Sequence, residues 1–187
     1  MEQTKQIHID GKSPLFDASG MFHKVFPSDF RQIRYFTLMV VQKAPPEIKE
    51  INLLEQQISE LIKNAVKHGN RGDPKKSIHV WFSFSYEIAR LIVQDEGKGF
   101  RRLEEWNEFN RRRTDAFQSQ DFEQMSQYVS FTSPESDEHD SGNALFAALE
   151  YWNGGVVFSE GRTSVAVAKT FPRRSRGIAL SDNGEEH

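Results

Sequence analysis

The strongest constraint on the fold is an alternation of apolar residues in the stretch SIHVWFSFS, residues 77–85. Every second residue is a large apolar one, at Ile78, Val80, Phe82 and Phe84. This period of two is typical of a β-strand that buries one face. A sheet containing such a strand needs other elements to cover its apolar face, so the pattern predicts a layered fold.

A long amphipathic run, residues 46–69, precedes this strand. Its apolar residues recur at helical spacing: Ile48, Ile51, Leu54, Ile58, Leu61, Ile62 and Ala65. Pro46 suits the first position of a helix, and Gly69 suits its C-terminal cap. Three polar side chains lie every fourth residue along the border of the apolar face: Glu60, Asn64 and His68. That spacing places them on one stripe of the predicted helix.

The remaining elements are short and separated by turn residues. Strands are predicted at 6–10, 24–27, 90–94, 156–159 and 164–171, and helices at 28–43 and 142–152. Ser28 or Asp29 can cap the first of these helices. The order predicts an α+β fold, a two-layer sandwich in which helices cover one face of a mixed, mostly antiparallel sheet. We predict a single domain at residues 1–171 and a flexible tail at 172–187.

Composition argues against several classes of protein. The net charge of −3 and the pI of about 6.1 give no overall attraction to nucleic acid or acidic lipid. The chain has no cysteine, which excludes disulfides and thiolate chemistry. Neither a run of roughly 18 apolar residues nor the apolar core of a signal peptide is present. We therefore predict a cytoplasmic protein whose partners are neither nucleic acid nor membrane.

A second motif, DEGKGF at residues 95–100, follows the strand at 90–94. A buried carboxylate at Asp95 could accept a hydrogen bond from an exocyclic amine, and Gly97 and Gly99 would let the main chain pass close to a ring or a phosphate. Taken alone, the motif is better explained by an ordinary turn. In the helical stripe, the amide oxygen of Asn64 could ligate Mg²⁺, while a solvated helix edge is the alternative.

The two motifs together resemble a known family. Residues Glu60, Asn64, Ala65, His68 and Gly69 match the N box of the GHKL (Bergerat-fold) ATPases and kinases, and the DEGKGF stretch matches the next box at a suitable separation. The run NAVKHGN followed by GDP looks specifically like the anti-sigma-factor serine kinases of bacterial partner-switching systems. The resemblance covers roughly residues 5–171.

This resemblance implies ATP and Mg²⁺ as cofactors and assigns roles to single residues. Asp95 would recognise adenine, Asn64 would hold Mg²⁺, and Glu60 would be the candidate base for the phosphoryl acceptor. Other members of the implied nucleotide site are His68, as a motif residue only, and Gly97, Gly99, Gly142 and Thr163. A plain strand threonine remains the alternative for the last of these.

Two features depart from the family pattern. Ala144 stands where the third box usually has a second glycine, and its methyl group could crowd the phosphates or simply pin the helix start. The expected ATP lid, residues 101–140, is longer than these kinases typically carry. Its arginines and aromatics predict either a nucleotide clamp or partner-docking element, or an amphipathic helical insert with a solvated face.

The leading functional hypothesis is an ATP-dependent protein serine/threonine kinase that acts as an anti-sigma factor or partner-switching regulator. It would bind a sigma factor or another output protein and phosphorylate an antagonist of the STAS type on serine. Such kinases generally act as dimers, and homodimerisation is left open. The alternatives are a nucleotide-binding regulatory module without phosphotransfer and, ranked lower, the catalytic domain of a sensor histidine kinase.

Overall fold

The alternating stretch forms the second strand from one edge of a six-stranded sheet. The structure is a computed structural model that describes residues 5–120, 122–128 and 143–172. The strands, in chain order, are β1 (His8–Ile9), β2 (Phe22–Pro27), β3 (Ser77–Phe84), β4 (Ile88–Gln94), β5 (Gly155–Phe158) and β6 (Ser164–Thr170). They lie in the order β1-β5-β6-β4-β3-β2, and β1 and β5 are the one parallel pair among them. The predicted mixed, mostly antiparallel sheet is confirmed.

Helices cover the face to which the apolar residues of β3 point. The described helices are α1 (Ile33–Val41), α2 (Ile51–Asn64), α3 (Leu103–Ser119), α4 (Phe122–Gln127) and α5 (Asn143–Tyr151), and all of them except α4 contribute to this cover. Ile78, Val80 and Phe82 are fully buried and form one core with residues of α1, α2, α3 and α5. The α+β class is therefore confirmed. Burial of these apolar side chains, at about 1.5–3 kcal/mol each, is the main force that holds the helices on the sheet.

The N-terminal segment crosses part of the opposite face of the sheet. Arg90 on β4 points to this side, and its Nη2 donates to the main-chain oxygens of Pro14, Leu15 and Asp17 at 3.2, 3.4 and 2.7 Å. Because Nη2 carries two N–H groups, it can share them among these neighbouring carbonyl groups of a crossing loop. The segment between β1 and β2 thus covers strands β4–β6 on the face of the sheet that carries no helices.

The start and the end of α2 both differ from the prediction. The helix begins at Ile51, because Pro46–Glu50 form turns, and Ile48 reaches the core from a turn. Asn64 is followed by one turn of π-helix at Ala65–Gly69, and Gly69 does not adopt the left-handed conformation of a C-terminal cap. The expectations that Pro46 opens the helix and that Gly69 caps it are wrong. Apolar spacing could not separate a buried turn residue from a buried helical one.

The stretch expected to form the lid begins with α3, which is docked on the core. Leu103 and Trp106 are buried, and the ring of Trp106 stacks on Phe146 of α5 at 4.9 Å between centroids. The predicted helical content is confirmed at 103–119 and 122–127, whereas 121, 129–142 and residues 173–187 of the predicted tail lie outside the described residues. Among the helices that the structure describes, none has the length and apolarity needed to traverse a bilayer.

Candidate functional site

The site is built where α2 ends. Glu60 and Asn64 lie in the last turns of the α-helix, and His68 lies in the π turn, where it is exposed. The π turn is closed by the Asn70 N–H, which donates to the Ala65 carbonyl at 2.8 Å. Single π turns inside helices are frequent at functional sites because they change the direction of the side chains that follow. The regular spacing of the polar stripe, one residue in every four, therefore continues only as far as Asn64.

Gly69 brings the helix end into contact with Asp95. A Cβ atom on Gly69 would lie 2.3 Å from the Asp95 Cγ atom and 2.4 and 2.7 Å from the carboxylate oxygens. These distances are far shorter than any real carbon contact, so only glycine allows the carboxylate to lie there. The two motifs that are 26 residues apart in the chain thus meet at one point in space.

Asp95 is half-buried directly after β4. Its Oδ1 accepts the Gly97 N–H at 2.7 Å, and its Oδ2 has no hydrogen bond to any described residue. Burial raises the pKa of Asp95 above its ordinary value, and the Gly97 N–H and the charge of Lys76 act in the opposite direction. A carboxylate that keeps one free oxygen in a partly desolvated position is suited to accept a hydrogen bond from a ligand.

The glycines of the DEGKGF motif are needed for close packing of the main chain. A Cβ on Gly97 would lie 2.1 Å from the Gly69 oxygen, and one on Gly99 would lie 2.3 Å from the Gly161 oxygen. Gly99 also has a φ of +80°, which side chains other than glycine adopt at a cost. The loop after β4 is therefore pressed between the end of α2 and the turn that joins β5 to β6.

Thr163 lies in that β5–β6 turn, directly beside Asp95. The Asp95 N–H donates to the Thr163 carbonyl at 2.9 Å, and the Phe100 N–H donates to the Arg162 carbonyl at 2.9 Å. Arg162 has a φ of +58°, and its guanidinium pairs with Glu104 of α3 at 2.5 Å. The turn is thus held from both sides, by the loop after β4 and by the first turn of α3.

Glu60 is engaged by a neighbour on the same helix. Its Oε2 lies 3.1 Å from Nζ of Lys63, and both side chains are about one third exposed. Glu60 is therefore accessible, but its carboxylate is neutralised by the adjacent ammonium group. Asn64, one turn further along, is partly buried and stands directly before the π turn.

The structure brings together Asp95, Gly97, Gly99 and Thr163 beside Gly69. His68 adjoins Gly69 in the chain, and Glu60 and Asn64 lie on the helix that leads into this junction. Gly142 lies outside the described residues. Ala144, the replacement for a family glycine, lies in the first turn of α5 and is partly buried.

Sequence reasoning missed Asn70, the best-buried polar residue beside the site. Asn70 has no exposed surface, and its side chain joins the start of β3 to the loop that holds Asp95. The only available signal was its position directly after the NAVKHG run. Nothing in a single sequence distinguishes such a residue from an ordinary turn asparagine.

One group at this junction suits a purine nucleotide. The Asp95 Oδ2 atom has no hydrogen bond to a described residue and offers an acceptor for an exocyclic amine, whereas the space beside Gly69, Gly97 and Gly99 is taken by the protein's own carboxylate and carbonyl groups. No group of three or more His, Asp or Glu side chains suited to a metal occurs within the described residues. A Mg²⁺ ion here would depend on the Asn64 oxygen together with the oxygens of a phosphate ligand, as is usual for this cation.

The fold, and the two motifs that meet after β4, are those of an α/β sandwich of the ATPase class. Consistent with this, the model of the family described as histidine kinase-like ATPase domain matches residues 26–148, about two thirds of the chain. The protein belongs to this family, and the predicted relationship to the GHKL ATPases is confirmed.

The most informative relatives are anti-sigma F factors. Over 65 residues, the chain is 26% identical to the anti-sigma F factor of Bacillus cytotoxicus. It is 28% identical to the anti-sigma F factors of Halalkalibacterium halodurans and Anoxybacillus flavithermus. Each match covers 35% of this chain and 44% of the relative. The chain therefore matches less than half the length of these curated relatives.

Proposed function

We propose that this protein is an ATP-dependent protein serine/threonine kinase of the anti-sigma, partner-switching type. The observation that carries the proposal is the contact between Gly69 and the Asp95 carboxylate, which assembles the two family motifs into one junction. Residues 1–171 would constitute the ATP-binding domain, and the protein would act in the cytoplasm.

Each predicted residue has a role in this proposal. The free Oδ2 of Asp95 would accept the exocyclic amine of adenine, and Gly97, Gly99 and Thr163 would shape the wall around the ring. The Asn64 oxygen would hold Mg²⁺, which neutralises charge on the triphosphate when bound. His68 and Gly142 are proposed as further members of the nucleotide site.

Glu60 is the proposed general base. Its carboxylate would accept the proton of the acceptor serine hydroxyl while that oxygen bonds to the transferred phosphorus and ADP departs. The Lys63 ammonium, whose Nζ atom lies 3.1 Å from Oε2, already engages this carboxylate. We therefore expect Glu60 to become effective once substrate binding draws it away from Lys63.

The proposed partners follow from the anti-sigma relatives. One is a sigma factor or another output protein that the kinase would bind, and the other is a STAS-type antagonist that it would phosphorylate on serine. A phosphate adds about 1.5–2 negative charges and could release the antagonist by repulsion at the interface. Homodimerisation is also proposed, as is general for kinases of this type.

The test is phosphate transfer from γ-labelled ATP to a STAS protein encoded beside this one, with Mg²⁺ present. We expect serine phosphorylation by the natural protein and none by Glu60→Ala, while calorimetry shows that Glu60→Ala still binds ATP. Unchanged transfer by Glu60→Ala would remove Glu60 from the role of base. Asn64→Ala should lose Mg-ATP affinity, and a normal affinity would contradict its role as a metal ligand.

A nucleotide-binding regulatory module without phosphotransfer is the second candidate. It is favoured by Ala144 in the first turn of α5, since a methyl group there replaces a family glycine, and by the Lys63 contact that neutralises Glu60. Binding of ATP without transfer to any STAS substrate would favour this module. Gain of transfer in Ala144→Gly would identify the methyl group as the cause.

A further inference from the structure

We infer that Asn70 is a positioning residue that orients Asp95 and thereby determines selectivity for adenine over other purines. The inference rests on the proposed nucleotide-binding function and extends it to a residue that contacts no ligand itself. Asn70 follows the π turn directly and has no exposed surface.

The side chain of Asn70 belongs to a closed ring of hydrogen bonds. Its Nδ2 donates to the Ser77 carbonyl at 2.9 Å, and its Oδ1 accepts the Glu96 N–H at 2.8 Å. The ring is completed by the Ser77 N–H, which donates to Oε1 of Glu96 at 3.1 Å. Three segments are thereby joined: the end of α2, the start of β3 and the loop after β4.

This ring fixes the backbone on one side of Asp95. The peptide group between Asp95 and Glu96 is held through the Glu96 N–H, and the peptide group before Asp95 is held by the Thr163 carbonyl at 2.9 Å. With both flanking peptide planes held, the direction of the Asp95 Cα–Cβ bond is held as well, and the Gly97 N–H at 2.7 Å then orients the carboxylate. Of these two restraints, the one from Asn70 comes from a side chain and can be removed by substitution.

Burial makes the restraint hard to replace. Since Asn70 is fully enclosed, water cannot readily take over its hydrogen bonds when the side chain is shortened. The peptide after Asp95 then loses the hydrogen bond that holds its N–H, and the orientation of the carboxylate toward the exocyclic amine becomes less defined. Contacts to the triphosphate depend on other residues, so selectivity for the base should fall more than affinity for the phosphates.

The test compares ATP with ITP, which carries a carbonyl in place of the exocyclic amine. Calorimetric Kd values with Mg²⁺ are measured for the natural protein, Asn70→Ala and Asn110→Ala. Asn110, on α3, is the matched control. It is also buried, and its Nδ2 also donates to a main-chain carbonyl, that of Lys5, at 2.8 Å. Unfolding by urea is followed for all three proteins to compare their losses of stability.

We expect the natural protein to prefer ATP by at least about tenfold. In Asn70→Ala the preference should fall at least about fivefold, whereas Asn110→Ala should keep it within about twofold despite a comparable loss of stability. Should Asn70→Ala not fold, Asn70→Ser serves instead, since its hydroxyl is too short to reach Ser77 and Glu96 together.

Two outcomes would overturn the inference. If Asn70→Ala keeps the natural preference within about twofold, Asn70 is a structural residue only, and the proposed function stands. If the natural protein binds neither nucleotide, the proposed function fails and the inference fails with it. Equal loss of preference in both asparagine variants would show a general effect of lowered stability and would also contradict the positioning role.

Discussion

The glycine junction around Asp95 and the helix α3 are built in opposite ways. At the junction, backbone and carboxylate are packed so closely that an added methyl group would lie 2.1–2.3 Å from its neighbours at Gly69, Gly97 and Gly99. On the outer face of α3, by contrast, the interactions are exposed ion pairs between flexible side chains, such as that of Arg111 with Glu108 at 2.8 Å. The first arrangement tolerates no added atom, and the second tolerates most substitutions.

The comparison teaches where specificity resides in this fold. Close main-chain packing gives one defined geometry, because displacement of any member creates a clash or an unpaired polar group. Exposed ion pairs are screened by water and salt and contribute little each. The following predictions test that difference.

The largest effect on stability is expected on the buried face of α3. Trp106 is fully buried against Phe146, so Trp106→Ala should lower the free energy of unfolding by about 3–5 kcal/mol, as measured by urea titration. Its indole N–H has no partner among the described residues, so Trp106→Phe removes an unpaired donor and should cost much less. Equal losses in both variants would show that the indole N–H is bonded after all.

The largest effect on binding is expected at the junction. In Gly69→Ala the new methyl group must displace the Asp95 carboxylate, so ATP affinity should fall by about a hundredfold or more in calorimetry. Gly72→Ala is the control, since Gly72 has a φ of +66° with no atom within 4 Å of an added Cβ. In Gly72→Ala, backbone strain should lower the free energy of unfolding by about 1 kcal/mol, and the ATP affinity should stay unchanged. Unaltered binding by Gly69→Ala would contradict the assembly of the site described above.

Asp95→Asn should separate binding from stability. The amide keeps an acceptor for the Gly97 N–H but presents no carboxylate to adenine, so we expect ATP affinity to fall by about 10–100-fold. Because burial raises the pKa of Asp95, its charge opposes folding at pH 7, and this cost disappears only at pH values below its ordinary pKa. The thermal midpoint at pH 7 should therefore stay unchanged or rise slightly. A marked fall would mean that the carboxylate is a structural anchor.

The smallest effect is expected on the exposed face of α3. Hydrogen bonds from Arg111 and Arg112 lower the pKa of Glu108 to about 2. Because this pKa is depressed, the contribution of Glu108 to folding stability is present above its ordinary pKa of about 4.5 and is lost as the pH falls from there toward 2. Glu108→Gln should lower the thermal midpoint at pH 7 by no more than about one degree, with the difference from the natural protein shrinking below pH 4 and in 1 M salt. A larger, salt-insensitive loss would show that α3 depends on its surface charges.

Much of the fold was predictable because it depends on local patterns. The alternation around Val80 predicted β3, the spacing of Leu54, Ile58 and Leu61 predicted α2, and turn residues marked the hairpins. The start of α2 was not predictable, because Ile48 is buried from a turn and its apolar character fits either structure. In the candidate site, the two motifs could be found, yet the reason for Gly69 could not, since the atom that excludes a side chain there belongs to Asp95.

By itself, the amino-acid sequence determined the secondary structure pattern, the sheet class and the residue types at the nucleotide junction, because these depend on side-chain periodicity and on chemistry carried by individual residues. Only the tertiary structure decided that Gly69 yields space to a carboxylate, that a π turn redirects the chain after Asn64, and that Asn70 joins three segments. The physical reason is that each of these depends on an atom contributed by a distant part of the chain, and close packing in three dimensions leaves no trace in local spacing.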